Sequence, residues 1–271
     1  LQKHNINIVH ASHHVGKNLQ DHLGSDIYYR ANVPTLNQEL NPMFGKLRAG
    51  LKYILTRKGP LSLSLNQGGG FIQIDPNASG PDLQLYFSPV SYTRAPAGVR
   101  PLMNPDPFPG FLMGFNPCKP TSVGNIQISS TDPMLPPKIY SNYLDTDYDK
   151  KMMIEGIRLI RRIANAPALN SIIKDELAPG VGIKSETDIA KYIRQKAWSV
   201  FHPCSTCRMG SNPNVSVVDP KLRVHGVDNL RVVDASIFPT IPTGNINAPS
   251  IMVGEYASDI ILKDARNQKG L

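Results

Sequence analysis

The sequence predicts a fold that mixes α-helices and β-strands, of the α+β or α/β class. Apolar residues recur at helical spacing in four segments, and shorter stretches alternate apolar with polar residues as strands do. The chain has 271 residues, of which 41% are hydrophobic. It is therefore long enough to bury a sizeable core, as one large domain or two small ones.

Most of the predicted strands lie in the first half of the chain. A short alternating run at residues 6–9 indicates an edge strand, and residues 230–233 indicate a buried strand near the other end. The remaining strand predictions cover residues 71–74, 82–88, 110–115 and 125–129. A proline-rich segment at residues 94–109 is expected to form an ordered surface loop or a lid.

Three consecutive glycines precede the strand predicted at residues 71–74. They do not form the dinucleotide-binding fingerprint G-x-G-x-x-G, because Gln73 stands where the third glycine is required. Glycines in or beside a strand indicate instead that two backbones approach each other closely.

The helix predictions rest on apolar periodicity together with start and stop residues. The first covers residues 43–56 and ends before Pro60. The second is capped by Asp145 or Thr146 and runs to Ile163. The third begins at Ser185, and its predicted buried side consists of Ile189, Tyr192, Ile193 and Trp198. The fourth covers residues 248–262, with a proline in its first turn.

Composition and charge exclude several classes of partner. No run of ~18 apolar residues occurs, so we expect no membrane span, and the first residues do not resemble a signal peptide. The formal net charge of +8 comes from scattered lysines and arginines that are not striped with aromatics, so nucleic acid is not an expected partner. An odd count of three cysteines argues against a disulfide framework. We expect a cytoplasmic location, with peripheral attachment to a membrane left open.

Two groups of residues contain side chains that can bind a metal or act as redox thiols. His13, His14 and His22 lack cysteine or carboxylate partners at ligand spacing, which favours solvated side chains. The Pro-Cys-x-x-Cys stretch that follows His202 resembles part of a zinc deaminase site, but the His-x-Glu that such enzymes need occurs nowhere in the sequence. A thiol-redox role is disfavoured because the cysteine pair does not open a helix after a βα turn. We predict no metal.

A third chemistry, proton transfer, also suits the residue types around His202. Pro203 favours an extended backbone at this histidine, and Asn245 lies in a segment punctuated by proline and glycine. A neutral imidazole beside an amide can take a hydroxyl proton while the amide stabilises the alkoxide. Removal of a hydride from the same carbon requires a flavin or nicotinamide.

Several motifs carry a resemblance to a known family. They are His-Pro-Cys-Ser-Thr-Cys-Arg-Met-Gly at residues 202–210, Val-Val-Asp-Pro-Lys-Leu-Arg-Val-His-Gly at 217–226, Leu-Arg-Val-Val-Asp-Ala-Ser at 230–236 and Gly-Asn-Ile-Asn-Ala-Pro at 244–249. In this order they resemble the C-terminal region of the glucose-methanol-choline (GMC) flavoprotein oxidoreductases, and most closely the choline-dehydrogenase-like alcohol dehydrogenases. Upstream matches extend the resemblance to nearly the whole chain.

The resemblance implies the C-terminal part of a two-domain flavoprotein. Residues 1–22 would be a segment of the FAD-binding domain, and residues 23–197 a substrate-binding domain built on an antiparallel sheet with flanking helices. Residues 198–271 would return to the FAD-binding domain. The family's N-terminal dinucleotide fold is absent, so we expect the FAD-binding portion to be missing from this chain or to be a separate chain.

The resemblance also implies a role for individual residues. His202 takes the place of the catalytic histidine, and Asn245 that of the second catalytic residue. The implied FAD-contacting residues are Phe201, Asp234, Ala235, Asn247, Ala248 and Pro249. The alternatives are a helix cap for Asn247 and core packing for Phe201.

Substrate contacts are predicted at Gln67 and Phe71. Choline-processing relatives carry glutamate where Gln67 aligns, and a neutral amide disfavours a quaternary ammonium. Ser205 stands where glycine is usual, which would alter the backbone of its loop.

The predicted activity is FAD-dependent oxidation of an uncharged primary alcohol to the aldehyde. His202 would act as base, and the hydride would pass to flavin N5. The alternatives left open are a lyase or photodecarboxylase on the same scaffold, or a fragment without cofactor.

Overall fold

The computed structural model describes residues 1–92 and 104–269, and the main chain alone at residues 268 and 269. The chain divides into two compact units, each assembled from separate segments. The first unit contains Leu1–Leu23, Cys118–Lys150 and Ser199–Leu271, and the second contains Gly24–Pro117 and Lys151–Trp198. Most of the proline-rich segment expected to be a loop or lid lies outside the described residues.

This division differs from the predicted one in a single internal segment. The ends of the units lie one residue from the predicted boundaries at 22/23 and 197/198, whereas residues 118–150 belong with the two terminal segments. The assignment of FAD binding and substrate binding to the units stays a prediction.

A six-stranded sheet forms the centre of the second unit, with strand order β2-β3-β4-β1-β7 and β8 paired to β1. A two-stranded sheet, β5-β6, lies in the first unit. The strands are β1 Leu23–Ala31, β2 Gly68–Ile72, β3 Leu83–Ser88, β4 Gly110–Pro117, β5 Asn125–Gln127, β6 Lys138–Tyr140, β7 Ile173–Ala178 and β8 Trp198–Ser199. Along β2-β3-β4-β1-β7 every pairing is antiparallel, as the resemblance implied.

Four of the six helices described lie close to their predicted positions, and the two short ones were not predicted. Their bounds are α1 Leu36–Leu40, α2 Met43–Thr56, α3 Asp147–Ala164, α4 Pro167–Asn170, α5 Glu186–Lys196 and α6 Asn247–Lys269. The predicted bounds of α2 are confirmed. Ser185 caps α5 by accepting a hydrogen bond from the Asp188 backbone N–H at 3.1 Å. Trp198, predicted on the buried side of this helix, lies in β8 instead.

The close backbone approach predicted for the three glycines is confirmed at Gly69, whereas a Cβ on Gly70 would have open space around it. The three glycines open β2, and a Cβ on Gly69 would lie 2.3 Å from the carbonyl oxygen of Leu85 in β3. Similarly, α3 lies so close to β4 that a Cβ on Gly156 would lie 2.1 Å from the Phe115 ring.

Two strand predictions are wrong. Residues 6–9 pair with no strand in the described part of the chain, and Val9 is 95% exposed. Residues 230–233 contribute one isolated bridge, between Arg223 and Arg231, and Leu230 is 49% exposed. Residues 6–9 have no partner strand among the described residues for their backbone groups. Leu230 and Val232 form single backbone hydrogen bonds with Val224 and Leu222, which do not continue into a strand ladder.

The first unit has its own apolar core. It is formed by Cys204, Val217, Val218, Leu222, Ile237, Phe238, Ile241, Ile246, Val253 and Ala257. Because the last two residues lie on α6, this core fixes the start of α6 against the loops around residues 204–246. Among the helices described, none combines the length and apolarity that a membrane crossing requires.

Candidate active site

The loop that carries His202 is held by main-chain hydrogen bonds to a segment from the start of the chain. Gln20 and Cys204 exchange N–H···O bonds of 3.2 and 2.9 Å, and the Val200 N–H donates to the His22 carbonyl at 2.9 Å. These bonds lie on both sides of His202. They therefore fix its backbone position relative to His22.

Asp21 is a buried acceptor that organises the same loop. One carboxylate oxygen accepts from the His202 backbone N–H at 2.8 Å, and the other accepts from the hydroxyls of Ser199 and Tyr143. Burial, reinforced by the hydrogen bond to Asp21, raises the pKa of Tyr143 to about 12, so this hydroxyl keeps its proton and remains a donor. Ser199 also accepts from the Phe201 N–H at 2.9 Å.

His22 and His202 form a buried imidazole pair. Their Nδ1 atoms are 2.8 Å apart, and Nε2 of His22 lies 3.0 Å from the Cys118 carbonyl oxygen. A carbonyl only accepts, so neutral His22 carries its proton on Nε2 and its Nδ1 is an acceptor. His202 must then donate from Nδ1. The hydrogen-bond pattern thus leaves Nε2 of His202 with an unprotonated lone pair.

That lone pair faces an amide. Nδ2 of Asn245 lies 3.4 Å from Nε2 of His202, within the outer range of a donated hydrogen bond. Asn245 is exposed, whereas His202 is 8% exposed and His22 is fully buried. The structure therefore brings the two predicted catalytic residues together across 43 positions of sequence.

Both histidines are held neutral. Burial lowers the pKa of His202, and the charge of nearby Asp21 opposes that effect in part. Burial likewise lowers the pKa of His22, helped by the proximity of His202 and opposed by the hydrogen bond to Cys118. At neutral pH Nε2 of His202 is therefore able to accept a proton.

The residues predicted to contact FAD all belong to the first unit. Phe201 is 81% exposed and adopts a left-handed backbone with φ of 61°, so the core-packing alternative for it is wrong. Such a conformation is costly for an aromatic residue and is typical of functional sites.

The remaining predicted cofactor residues lie at the starts of two helices. Asp234 caps a 3₁₀ helix, Ala235–Ile237, by accepting from the Ser236 N–H at 2.7 Å. Asn247, Ala248 and Pro249 are the first three residues of α6. Asn247 is exposed and is already helical, so it is not the cap of α6.

The cysteines beside His202 are poor nucleophiles. All three cysteines are free thiols. Burial raises the pKa of Cys204 to about 11 and also raises that of Cys207. Thiolate, the reactive form, is therefore disfavoured at neutral pH. Within residues 1–92 and 104–269, no three His, Cys, Asp or Glu side chains are grouped as metal ligands.

The two predicted substrate residues belong to the second unit. Phe71 lies on β2 and is 51% exposed. Gln67 precedes β2 and lines an open groove of about 620 Å³. The other lining residues are Pro34, Thr35, Leu36, Glu39, Gly59, Pro60, Leu63 and Pro89.

Sequence reasoning missed three residues of this site. The sequence predicts no role for Asp21, and the prediction that His22 is solvated is wrong, since it is fully buried. Tyr143 was given no role. The available signal was that Asp21 and His22 lie directly between Leu19 and Leu23, two apolar residues that are buried.

Comparisons with known proteins agree with the resemblance. Residues 120–254 match the model of the GMC oxidoreductase family. An alcohol dehydrogenase [acceptor] from Pseudomonas putida is 39% identical over 97% of this chain, and that match covers 47% of the relative. The chain belongs to the GMC oxidoreductase family.

Other GMC proteins show the same pattern of coverage. An oxygen-dependent choline dehydrogenase from Vibrio vulnificus is 37% identical over 97% of this chain and 46% of its own length. A structure of formate oxidase from Aspergillus oryzae, a mutant that concerns FAD modification, superposes on this chain with a TM-score of 0.87 at 26% identity. The superposition covers 98% of this chain and 50% of the formate oxidase chain. The chain spans about half the length of the curated relatives it matches.

Proposed function

We propose that this chain forms the catalytic part of an FAD-dependent oxidoreductase that oxidises an uncharged primary alcohol to the aldehyde. The observation that carries the proposal is the unprotonated Nε2 of His202 beside the Asn245 amide, in a chain of the GMC family. An imidazole lone pair and an amide donor on one side of an alcohol oxygen are the groups that deprotonation requires.

In this mechanism His202 accepts the hydroxyl proton at Nε2. The Asn245 Nδ2–H donates to the substrate oxygen as negative charge develops on it. His22 receives the Nδ1–H of His202 and so stabilises the imidazolium, while Asp21 fixes the backbone of the same residue. FAD, when bound, supplies the acceptor for the hydride that leaves the carbon.

The described residues fit a flavin in two respects. Phe201 offers an exposed aromatic face next to His202 along the chain. The first turn of α6 has main-chain N–H groups without helical partners, and its dipole favours the electron-rich edge of a flavin ring. Asp234, Ala235, Asn247, Ala248 and Pro249 are accordingly proposed as cofactor-binding residues.

The choice of an uncharged alcohol rests on Gln67. The family resemblance implies that its neutral amide takes the place of a carboxylate in choline-processing relatives, and Phe71 on β2 adds apolar surface. The same groove also contains the carboxylate of Glu39, so choline is the informative comparison substrate. Faster flavin reduction by choline than by an uncharged primary alcohol would overturn this choice.

The test of the activity is anaerobic flavin reduction by alcohols, followed by absorbance, in the protein at its natural length. His202→Ala should slow reduction by at least ~10²-fold because the base is lost. His14→Ala is the matched control, at a partly exposed histidine that bonds to the Asn214 carbonyl, and its flavin should be reduced at the normal rate.

Two outcomes would replace this proposal with its alternatives. A bound flavin that no alcohol bleaches would favour a lyase or a photodecarboxylase on the same scaffold. Purification without yellow colour would favour a polypeptide that holds the fold without the cofactor.

We also propose that the protein is cytoplasmic and attaches peripherally to a membrane. Three free thiols suit a reducing compartment. A formal net charge of +8 favours contact with anionic surfaces. Its partners would be the alcohol substrate and an FAD-binding portion of the kind that GMC relatives carry.

A further inference from the structure

Helix α2 exposes nearly all of its large apolar side chains. Of its 14 residues, Ala49 is the buried one. The exposed apolar residues are Met43, Phe44, Leu47, Leu51, Ile54 and Leu55, at 59% to 79% exposure. Leu61 and Leu63, just beyond the helix, are also more than half exposed.

These six side chains form one stripe. At 3.6 residues per turn they fall within an arc of about 120°, and Ala49 lies on the opposite side. The stripe therefore points away from the second unit to which the helix belongs. A continuous exposed apolar face of this kind marks an interaction surface.

Basic residues border the stripe. Arg48 and Lys52 project along one edge and Lys46 along the other, and Arg57 and Lys58 follow the last turn. No aspartate or glutamate occurs from residue 40 to residue 74. An apolar centre with cations along its edges is the pattern of a helix that lies in the plane of a membrane surface.

We propose that α2 docks on the surface of an anionic lipid bilayer. Its apolar stripe enters the boundary between headgroups and acyl chains, and its lysines and arginines contact the anionic headgroups. The helix is about 21 Å long, too short to cross the hydrocarbon layer, and so lies flat. The proposal supplies a surface for the proposed peripheral attachment and does not depend on the oxidoreductase chemistry.

Charge argues against a second copy of this chain as the occupant. In a two-fold dimer through α2, the same basic face would meet itself, with five cations on each side and no acidic residue in the segment to pair with them. A bilayer that contains anionic lipid supplies the opposite charge at the required density.

The test is sedimentation of the full natural-length protein with lipid vesicles. We expect binding to vesicles of phosphatidylcholine with roughly 30% phosphatidylglycerol, weak binding to pure phosphatidylcholine, and loss of binding at high salt. Leu47→Ser with Leu51→Ser should weaken partitioning about tenfold or more. Arg48→Gln with Lys52→Gln should weaken it about fivefold per charge.

Matched controls separate docking from loss of folding. Met134→Ser with Leu135→Ser changes two exposed apolar residues of the first unit and should leave binding unchanged. Every variant should retain its melting temperature and flavin reduction by alcohols in solution.

Three results would overturn the proposal. The first is equal vesicle binding by the Leu47/Leu51 variant. The second is a wild-type protein that is dimeric in light scattering and does not bind vesicles, with a Leu47/Leu51 variant that is monomeric. In that case α2 would be a contact between two copies of the chain. The third is failure of a cysteine placed in the stripe, Leu47→Cys, to react with a water-soluble maleimide in the absence of lipid, which would show that another part of the protein covers the helix.

Discussion

At the scale of single residues, the decisive contact is the one between His22 and His202. In the proposed mechanism His22 is a positioning residue, because its Nδ1 accepts a hydrogen bond from the Nδ1–H of His202 and so leaves Nε2 of His202 unprotonated. His22→Phe fills the space but removes the acceptor, and should lower the rate of flavin reduction about 10²-fold. His22→Asn keeps an acceptor oxygen close to the former Nδ1 position and should restore much of the rate.

A pH profile distinguishes this role from simple packing. Burial lowers the pKa of His202. The rate of flavin reduction in the wild type should therefore rise with pH, with an apparent pKa below 6.5, and reach a plateau above it. His22→Phe should move that inflection, whereas a purely structural defect would lower the plateau without moving it. The melting temperatures of both variants serve as the folding control.

The two proposed catalytic residues could be named from the sequence because they lie in local motifs that carry the family resemblance. The partner His22 was not, because 180 positions separate it from His202 and no local pattern reports that contact. An isolated histidine near a terminus has the same local sequence features whether it is solvated or buried. Only tertiary packing decides between the two.

At the scale of elements, glycines mark where helices and strands lie closest. Gly156→Ala should destabilise the protein by about 1–3 kcal/mol, because its Cβ would lie 2.1 Å from the buried Phe115 ring. Gly50→Ala, in α2 with open space around the new methyl group, should stabilise by about 1 kcal/mol through helix propensity. Chemical denaturation measures the change in the free energy of unfolding for each variant. Equal changes for the two variants would contradict the close contact between α3 and β4.

Elements with an uninterrupted apolar pattern were the predictable ones. Helix α2 repeats its apolar residues at helical spacing, whereas β1 reads Leu-Gly-Ser-Asp-Ile-Tyr-Tyr-Arg-Ala and was missed. Most of β1 is buried, and it pairs with β4 on one side and β7 on the other. Its polar residues interrupt the apolar alternation by which a strand is recognised from sequence.

At the scale of the whole molecule, the buried neutral histidines link stability to pH. The folded pKa values of His22 and His202 lie below the unfolded value of 6.5, so the unfolded chain binds more protons as pH falls. The free energy of unfolding therefore has its full value above pH 6.5. It decreases as the pH falls below 6.5, by up to about 1.4 kcal/mol per pH unit for each histidine. Melting temperatures from pH 8 to 5 should show the decline, and His22→Asn should show a shallower one.

Because the polypeptide passes between its two units several times, translation imposes an order on their completion. The first unit requires Ser199–Leu271 in addition to its earliest residues. Until residues 199–271 have been synthesised, Asp21 and His22 lack the His202 loop to which they hydrogen-bond, and α6 is absent. A nascent chain that stalls before residue 199 would therefore expose unfinished apolar surface, and premature stop codons there should yield aggregates or degradation products in place of a smaller stable protein.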